Sequence, residues 1–143
     1  MKITQFIRKN YVSVNPDISL KKIEEIMADR TISHILVFDK KSLIGIISDR
    51  DVKKYRSIFA ETNVSKEMDE ATLGFKAHQI MTHNPKTIYE NSYAIDGINL
   101  MLKEHISCLP VINMDNDVIG IITSSDLLRW MARLIKFLEP DRS

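Results

Sequence analysis

Four shortages in this chain of 143 residues each close off a class of function. It has one cysteine, Cys108, so no disulfide can form within it. A lone cysteine in an apolar stretch reads as a small buried residue rather than a reactive thiol. It has four glycines, with no Gly-x-Gly-x-x-Gly and no Walker-type loop, so a glycine-rich phosphate cradle is missing. Its net charge is only +1, from 20 Lys+Arg against 19 Asp+Glu, so no basic field draws nucleic acid. No apolar run approaches the ~20 residues of a membrane span. The opening Met1–Phe6 lacks the apolar core and small-residue cleavage site of a signal peptide. A reducing, cytoplasmic setting is expected, with neither a membrane nor nucleic acid as partner.

What the chain does have is one phrase written twice. Gly45-Ile46-Ile47-Ser48-Asp49-Arg50-Asp51 and Gly120-Ile121-Ile122-Thr123-Ser124-Ser125-Asp126 both read Gly-Ile-Ile-Ser/Thr-x-x-Asp. Shifted by 74, the chain also lays Phe6-Ile7 on Ile80-Met81, Met27 on Met101, Ile32-Ser33 on Ile106-Ser107 and Val37 on Val111. After Asp39 and Asn113 the shift becomes 75, one extra residue in the second copy's loop. Two repeats follow, residues 2–55 and 76–130, with a linker at 56–75 and a helical tail at 131–143. The apolar pattern is shared while the surface differs, as in a duplicated structural unit.

Each repeat predicts the order short strand, helix, strand, strand, helix, an α/β (α+β) unit in which a small sheet is packed by two helices. In the first, Tyr11–Val14 is a brief strand ended by the turn Asn15-Pro16-Asp17. Ser19 is placed to cap a helix through Arg30, with Leu20, Ile23, Ile26 and Met27 on one stripe. Ser33–Phe38 and Leu43–Ile47 are continuous apolar runs, the pattern of strands buried on both faces. In the second repeat Thr87-Ile88 is the short strand, and Asn91 or Ser92 caps the next helix. Cys108–Ile112 and Val118–Ile122 form the strand pair. The last helix, from about Ser125 to Leu138, carries Leu127, Trp130, Met131, Leu134 and Phe137 on one side. That stripe serves either the chain's own core or a second subunit.

The repeated turn has two readings. Ser48-x-x-Asp51 and Thr123-x-x-Asp126 are good helix caps, the hydroxyl taking orphan backbone N–H groups and the carboxylate reaching back. The same residues also suit a ligand. A helix N-terminus at a strand end favours an anion, and a nearby carboxylate accepts hydrogen bonds from the vicinal hydroxyls of a ribose. Arg50 adds a cation beside the first copy, either a phosphate contact or an exposed helix residue.

For catalysis one looks for a nucleophile with an oriented base, a metal set or a phosphate loop. Ser48 and Asp51 have no histidine at visible spacing, and His78 and His83, five apart, do not share a helix face. No metal site is expected, and the chain is read as no enzyme. His105 closes a helix, and most of the seven methionines fall on apolar stripes as core residues.

The chain resembles a tandem pair of CBS (cystathionine beta-synthase) domains, a Bateman module. The resemblance rests on the two turns, on Gln79-Ile80-Met81-Thr82-His83-Asn84-Pro85-Lys86-Thr87-Ile88 and on Ile106-Ser107-Cys108-Leu109-Pro110-Val111. Within that family, Gly45–Asp51, residues 107–111 and Asp126-Leu127-Leu128-Arg129 are similar to the small stand-alone bacterial members linked to acetoin utilisation. The resemblance implies two pseudo-symmetric clefts between the repeats that bind an adenine nucleotide or adenosyl compound (AMP, ADP, ATP or S-adenosylmethionine) as a regulatory ligand, with no cofactor required. Carried over, Thr123 and Asp126 face Ser13, Ile32, Ser33 and His34, while Ser48, Arg50 and Asp51 face Thr87, Ile106, Ser107 and Cys108. The resemblance further implies a homodimer and a regulated partner protein. The alternative is a module that dimerises or docks without any ligand. Leu36 stands where the second copy has Pro110, and Asp49-Arg50 where it has Ser124-Ser125, so the two clefts are expected to be unequal.

Overall fold

Residues 1–62 and 74–141 are described by the computed structural model. They form two units. The first is Tyr11–Pro85, and the second joins Met1–Asn10 to Lys86–Ser143.

The first unit begins with β1 (Ser13–Val14) and α1 (Leu20–Arg30), followed by β2 (His34–Asp39), β3 (Ser42–Ser48) and α2 (Asp49–Thr62). It closes with the short α3 (Ala77–Ile80) and β4 (Thr82–His83). Its sheet has the order β1-β2-β3-β4, with β1 parallel to β2 and the other pairs antiparallel. Ser19 caps α1 as expected, its Oγ accepting from the Lys22 N–H at 3.2 Å. Leu20, Ile23 and Met27 recur on one face of α1 and meet Ile35, Val37 and Ile47 of the sheet. Burying each such side chain contributes about 1.5–3 kcal/mol, far more than the helix propensity of any one residue.

The second unit starts with a 3-10 turn, Ile3–Phe6, and continues through β5 (Ile88–Tyr89), α4 (Ala94–Glu104), β6 (Cys108–Ile112), β7 (Val118–Thr123) and α5 (Ser124–Leu138). Its sheet order is β5-β6-β7. Every residue of β6 is buried, which is why that run carries no polar alternation. Ile3, Phe6, Met101, Leu109, Val111 and Ile122 are its core, and Phe6 meets Trp130 edge-to-face at 5.5 Å between ring centroids.

Several local expectations shift. α4 is capped at Tyr93 rather than Asn91 or Ser92, because the Asp96 carboxylate accepts the Tyr93 N–H at 3.1 Å and fixes the first turn there. The strand expected at Thr87-Ile88 forms at Ile88–Tyr89. In the first unit β1 pairs from Ser13↔Leu36, and the Leu36 N–H donates to Val12 O at 3.0 Å. Pro110 holds the equivalent place and has no N–H to give, so pairing there begins one residue later, at Ile88↔Val111. α2 runs on to Thr62, into the span read as linker, while the linker reading for 63–73 lies outside the described residues. α5 runs from Ser124 to Leu138, the span expected of the last helix.

In each unit the short helical segment comes from the stretch before the strand: residues 3–6 with the second unit, residues 77–80 with the first. A glycine admits each crossing. A Cβ on Gly45 would collide with the Met81 side chain, and one on Gly120 would meet Ile7 and lie 2.7 Å from Arg8 O. Among the described residues no helix is long and apolar enough to cross a membrane.

Candidate functional site

In the first unit the turn is a closed capping box. The Asp51 N–H donates to Ser48 Oγ at 3.1 Å, and the Ser48 N–H donates back to Asp51 Oδ2 at 2.9 Å. The turn is seated against the start of β2. His34 lies opposite Ser48 in the sheet, and the Asp49 N–H donates to Ser33 O at 2.9 Å. Arg50 is exposed on the first turn of α2. Burial lowers the His34 pKa below its usual 6.5, with Arg50 acting the same way and Asp49 and Asp51 opposing. Ser13 is exposed on β1 and Ile32 packs against the core just before β2.

The second unit repeats the arrangement with different chemistry at the carboxylate. The Asp126 N–H donates to Thr123 Oγ1 at 3.2 Å, and the Thr123 hydroxyl donates to Asp126 Oδ2 at 2.8 Å. The Ser124 N–H donates to Ser107 O at 2.9 Å and Cys108 lies opposite Thr123. Asp126 Oδ1 takes two guanidinium groups, Arg8 at 2.6 Å and Arg129 at 2.8 Å. Burial pushes the Asp126 pKa up, but the Thr123 hydroxyl, Arg8 and Arg129 outweigh it and hold the carboxyl below its ordinary range. Burial drives the Cys108 thiol up to about 12, with Asp126 adding to it and Arg8 opposing. Cys108 is thus an inert wall residue. Thr87 is half-buried just ahead of β5, and Ile106 packs on the core before β6.

Within each unit, then, the hydroxyl, the carboxylate and the start of the second strand of the same repeat come together: Ser48 and Asp51 with Ser33 and His34, Thr123 and Asp126 with Ser107 and Cys108. The sequence reading missed Arg8, Arg129 and Arg133. These line, with Asp126, Trp130 and Lys9, a cleft of about 460 Å³ in the second unit. Arg129 and Arg133 had a legible signal, since they follow Asp126 by three and seven residues and so share its helix face. Arg8 had none, standing 118 residues away. Among the described residues no three His, Cys, Asp or Glu side chains converge as a metal site.

A family model for the CBS domain matches the chain twice, at residues 3–58 and 77–133. A CBS domain-containing protein of Dictyostelium discoideum is 32% identical over 140 residues, which is 96% of this chain and 94% of that protein. Other curated relatives are longer: an arabinose 5-phosphate isomerase of Francisella tularensis is 29% identical over 93% of this chain but only 38% of its own length. Among solved structures, CBSX2 of Arabidopsis thaliana in complex with AMP superposes with a TM-score of 0.74 at 23% identity, covering 93% of this chain and 97% of that one. The CBS domain pair of protein MJ0100, in complex with 5'-methylthioadenosine and S-adenosylmethionine, gives 0.76 at 25% identity over 92% and 99%. An acetoin utilisation protein, AcuB, of Vibrio cholerae gives 0.75 at 21% identity over 98% and 96%, a likeness of fold.

Proposed function

The chain belongs to the CBS-domain family as a tandem pair, and from that premise we propose that it is a regulatory module that binds an adenine nucleotide or adenosyl compound at its Ser/Thr-x-x-Asp turns. One observation carries the reading. Each turn holds a carboxylate beside a hydroxyl and a strand-start backbone, Asp126 with Thr123 and Ser107, Asp51 with Ser48 and Ser33. Carboxylates so placed accept from vicinal ribose hydroxyls. The AMP bound to one structural neighbour and the adenosyl compounds bound to another support the ligand class.

In this reading the ligand acts as a signal and is not turned over. The family resemblance, and not the bonds within each unit, groups the assigned residues: Ser48, Arg50, Asp51, Thr87, Ile106, Ser107 and Cys108 for one ligand, and Ser13, Ile32, Ser33, His34, Thr123 and Asp126 for the other. Binding shifts the balance between conformations of the module, and a partner protein reads the shift. A role near acetoin utilisation and a cytoplasmic location belong to the same reading. The exposed apolar residues of α5, Leu128, Met131, Ile135 and Leu138, supply the face of a homodimer.

Thermal shift and titration calorimetry with AMP, ADP, ATP, S-adenosylmethionine and 5'-methylthioadenosine test the proposal. At least one compound stabilises the wild type, and Asp126→Ala with Asp51→Ala removes the effect while the oligomeric state is kept. Absence of any binding at millimolar concentration sinks it and leaves the ligand-independent interaction module.

A further inference from the structure

The two turns are equivalent in backbone and unequal in charge. Among the described residues Asp126 is the one carboxylate lining the second unit's cleft, against Arg8, Lys9, Arg129 and Arg133. Through the repeat, Arg8 corresponds to Thr82, Lys9 to His83, Arg129 to Lys54 and Arg133 to Ile58. The pairing of Arg8 with Ile121 and of Thr82 with Ile46 confirms that the first correspondence holds in space. The surplus of cations is therefore a property of one site, built mainly by the N-terminal segment and the outer face of α5.

Those cations load the carboxylate. An ionised carboxylate has about four acceptor positions. Oδ1 of Asp126 takes Arg8 and Arg129, and Oδ2 takes the Thr123 hydroxyl. A ribose diol needs two acceptors and finds them largely committed. The Asp51 carboxylate, in contrast, takes the Ser48 backbone N–H and no guanidinium among the described residues. A ligand that brings a phosphate changes the balance, because guanidinium groups match phosphate bidentately at least as well as a carboxylate. Lys9 and Arg133, which make no ion pair among the described residues, then add to the same anion.

We propose that the Asp126 cleft is a phosphate-dependent nucleotide site, in which Arg8 leaves Asp126 for the phosphate of a phosphorylated nucleoside and so frees the carboxylate for the ribose. Uncharged or cationic adenosyl compounds, such as adenosine and S-adenosylmethionine, lack the group that releases Arg8 and are disfavoured there. This inference rests on the adenosyl-binding reading and narrows it to a ligand class at one site.

Titration calorimetry in an Asp51→Ala background isolates the site. ADP and ATP are expected to bind at least about tenfold more tightly than adenosine or S-adenosylmethionine, the difference expected for charge-assisted contacts. Arg8→Ala weakens ADP about tenfold and strengthens adenosine, two changes of opposite sign. The variant keeps the strand pairing, because Arg8 bonds to Ile121 through its backbone N–H and C=O. Arg133→Gln, which leaves Asp126 untouched, weakens ADP alone. If adenosine or S-adenosylmethionine binds as tightly as ADP, or if Arg8→Ala moves both ligands the same way, this inference fails while the wider reading stands. If no adenosyl compound binds, both fail.

Discussion

Arg8 and Asp126 meet across 118 residues, guanidinium on carboxylate at 2.6 Å, and the matching pair in the other repeat, Thr82 and Asp51, cannot form. The duplicated turn thereby carries a different charge setting in each copy. The difference lies in what approaches the carboxylate, since the cap bond from the Asp N–H to the hydroxyl is the same in both copies, at 3.1 and 3.2 Å.

Asp126→Asn separates the cap from the charge. The amide oxygen can still receive the Thr123 hydroxyl, so the cost in stability is small, about 0.5–1 kcal/mol, within the range of a surface ion pair and part of a cap. Nucleotide-dependent stabilisation falls far more. Chemical denaturation with and without ADP measures both.

Stability against acid follows from the same contacts. The Asp126 pKa is lower in the folded state than its ordinary value of 3.8. Below 3.8 the unfolded chain takes up the proton first, so the stabilisation is complete above 3.8 and is lost as pH falls through the depressed folded value. Asp126→Asn flattens that limb of a plot of unfolding free energy against pH.

His34 sets a second limb at milder pH. Its folded pKa lies below 6.5, so the unfolded state holds more protons just under 6.5 and stability declines as pH falls from there towards the folded value. His34→Gln removes this slope, read by urea denaturation at a series of pH values between about 5 and 8.

Gly120→Ala and Gly45→Ala differ in cost. At Gly120 the new methyl meets the Arg8 carbonyl, which is held in a backbone bridge and cannot yield cheaply. A loss of about 1–3 kcal/mol is expected, as for overpacking. At Gly45 it meets chiefly the end of the Met81 thioether, which can turn aside, so the loss is smaller. Equilibrium unfolding of the two variants ranks them, and the reverse order would count against the Arg8–Ile121 bridge.

α1 and α4 each end on a left-handed residue that is not glycine, Thr31 with φ 53° and His105 with φ 54°. Such a conformation costs an L-residue roughly 1–2 kcal/mol, most for a β-branched one. Thr31→Gly is expected to raise stability by about 1 kcal/mol, seen as a higher denaturation midpoint with an unchanged slope.

The fold was largely legible because its signals are local. The α1 stripe of Leu20, Ile23 and Met27 has the helical period, and β6 is a run of five buried residues that reads as a strand covered on both faces. Boundaries moved where one hydrogen bond decided them: Asp96 on Tyr93 for α4, and the missing N–H of Pro110 for β5. Of the site, Ser48, Asp51, Thr123 and Asp126 could be read from spacing, since a cap closes within three residues.

The amino-acid sequence by itself determined the duplication, the two turns and the strand-helix order, all of which rest on periodicity and on bonds between near neighbours. The tertiary structure alone decided that residues 1–10 complete the unit of the second repeat, and with them that Arg8 reaches Asp126. A glycine makes room for that crossing and a backbone bridge holds it, but an ion pair between distant residues has no period and leaves no pattern in the chain. The charge that distinguishes one site from its twin is accordingly a product of packing.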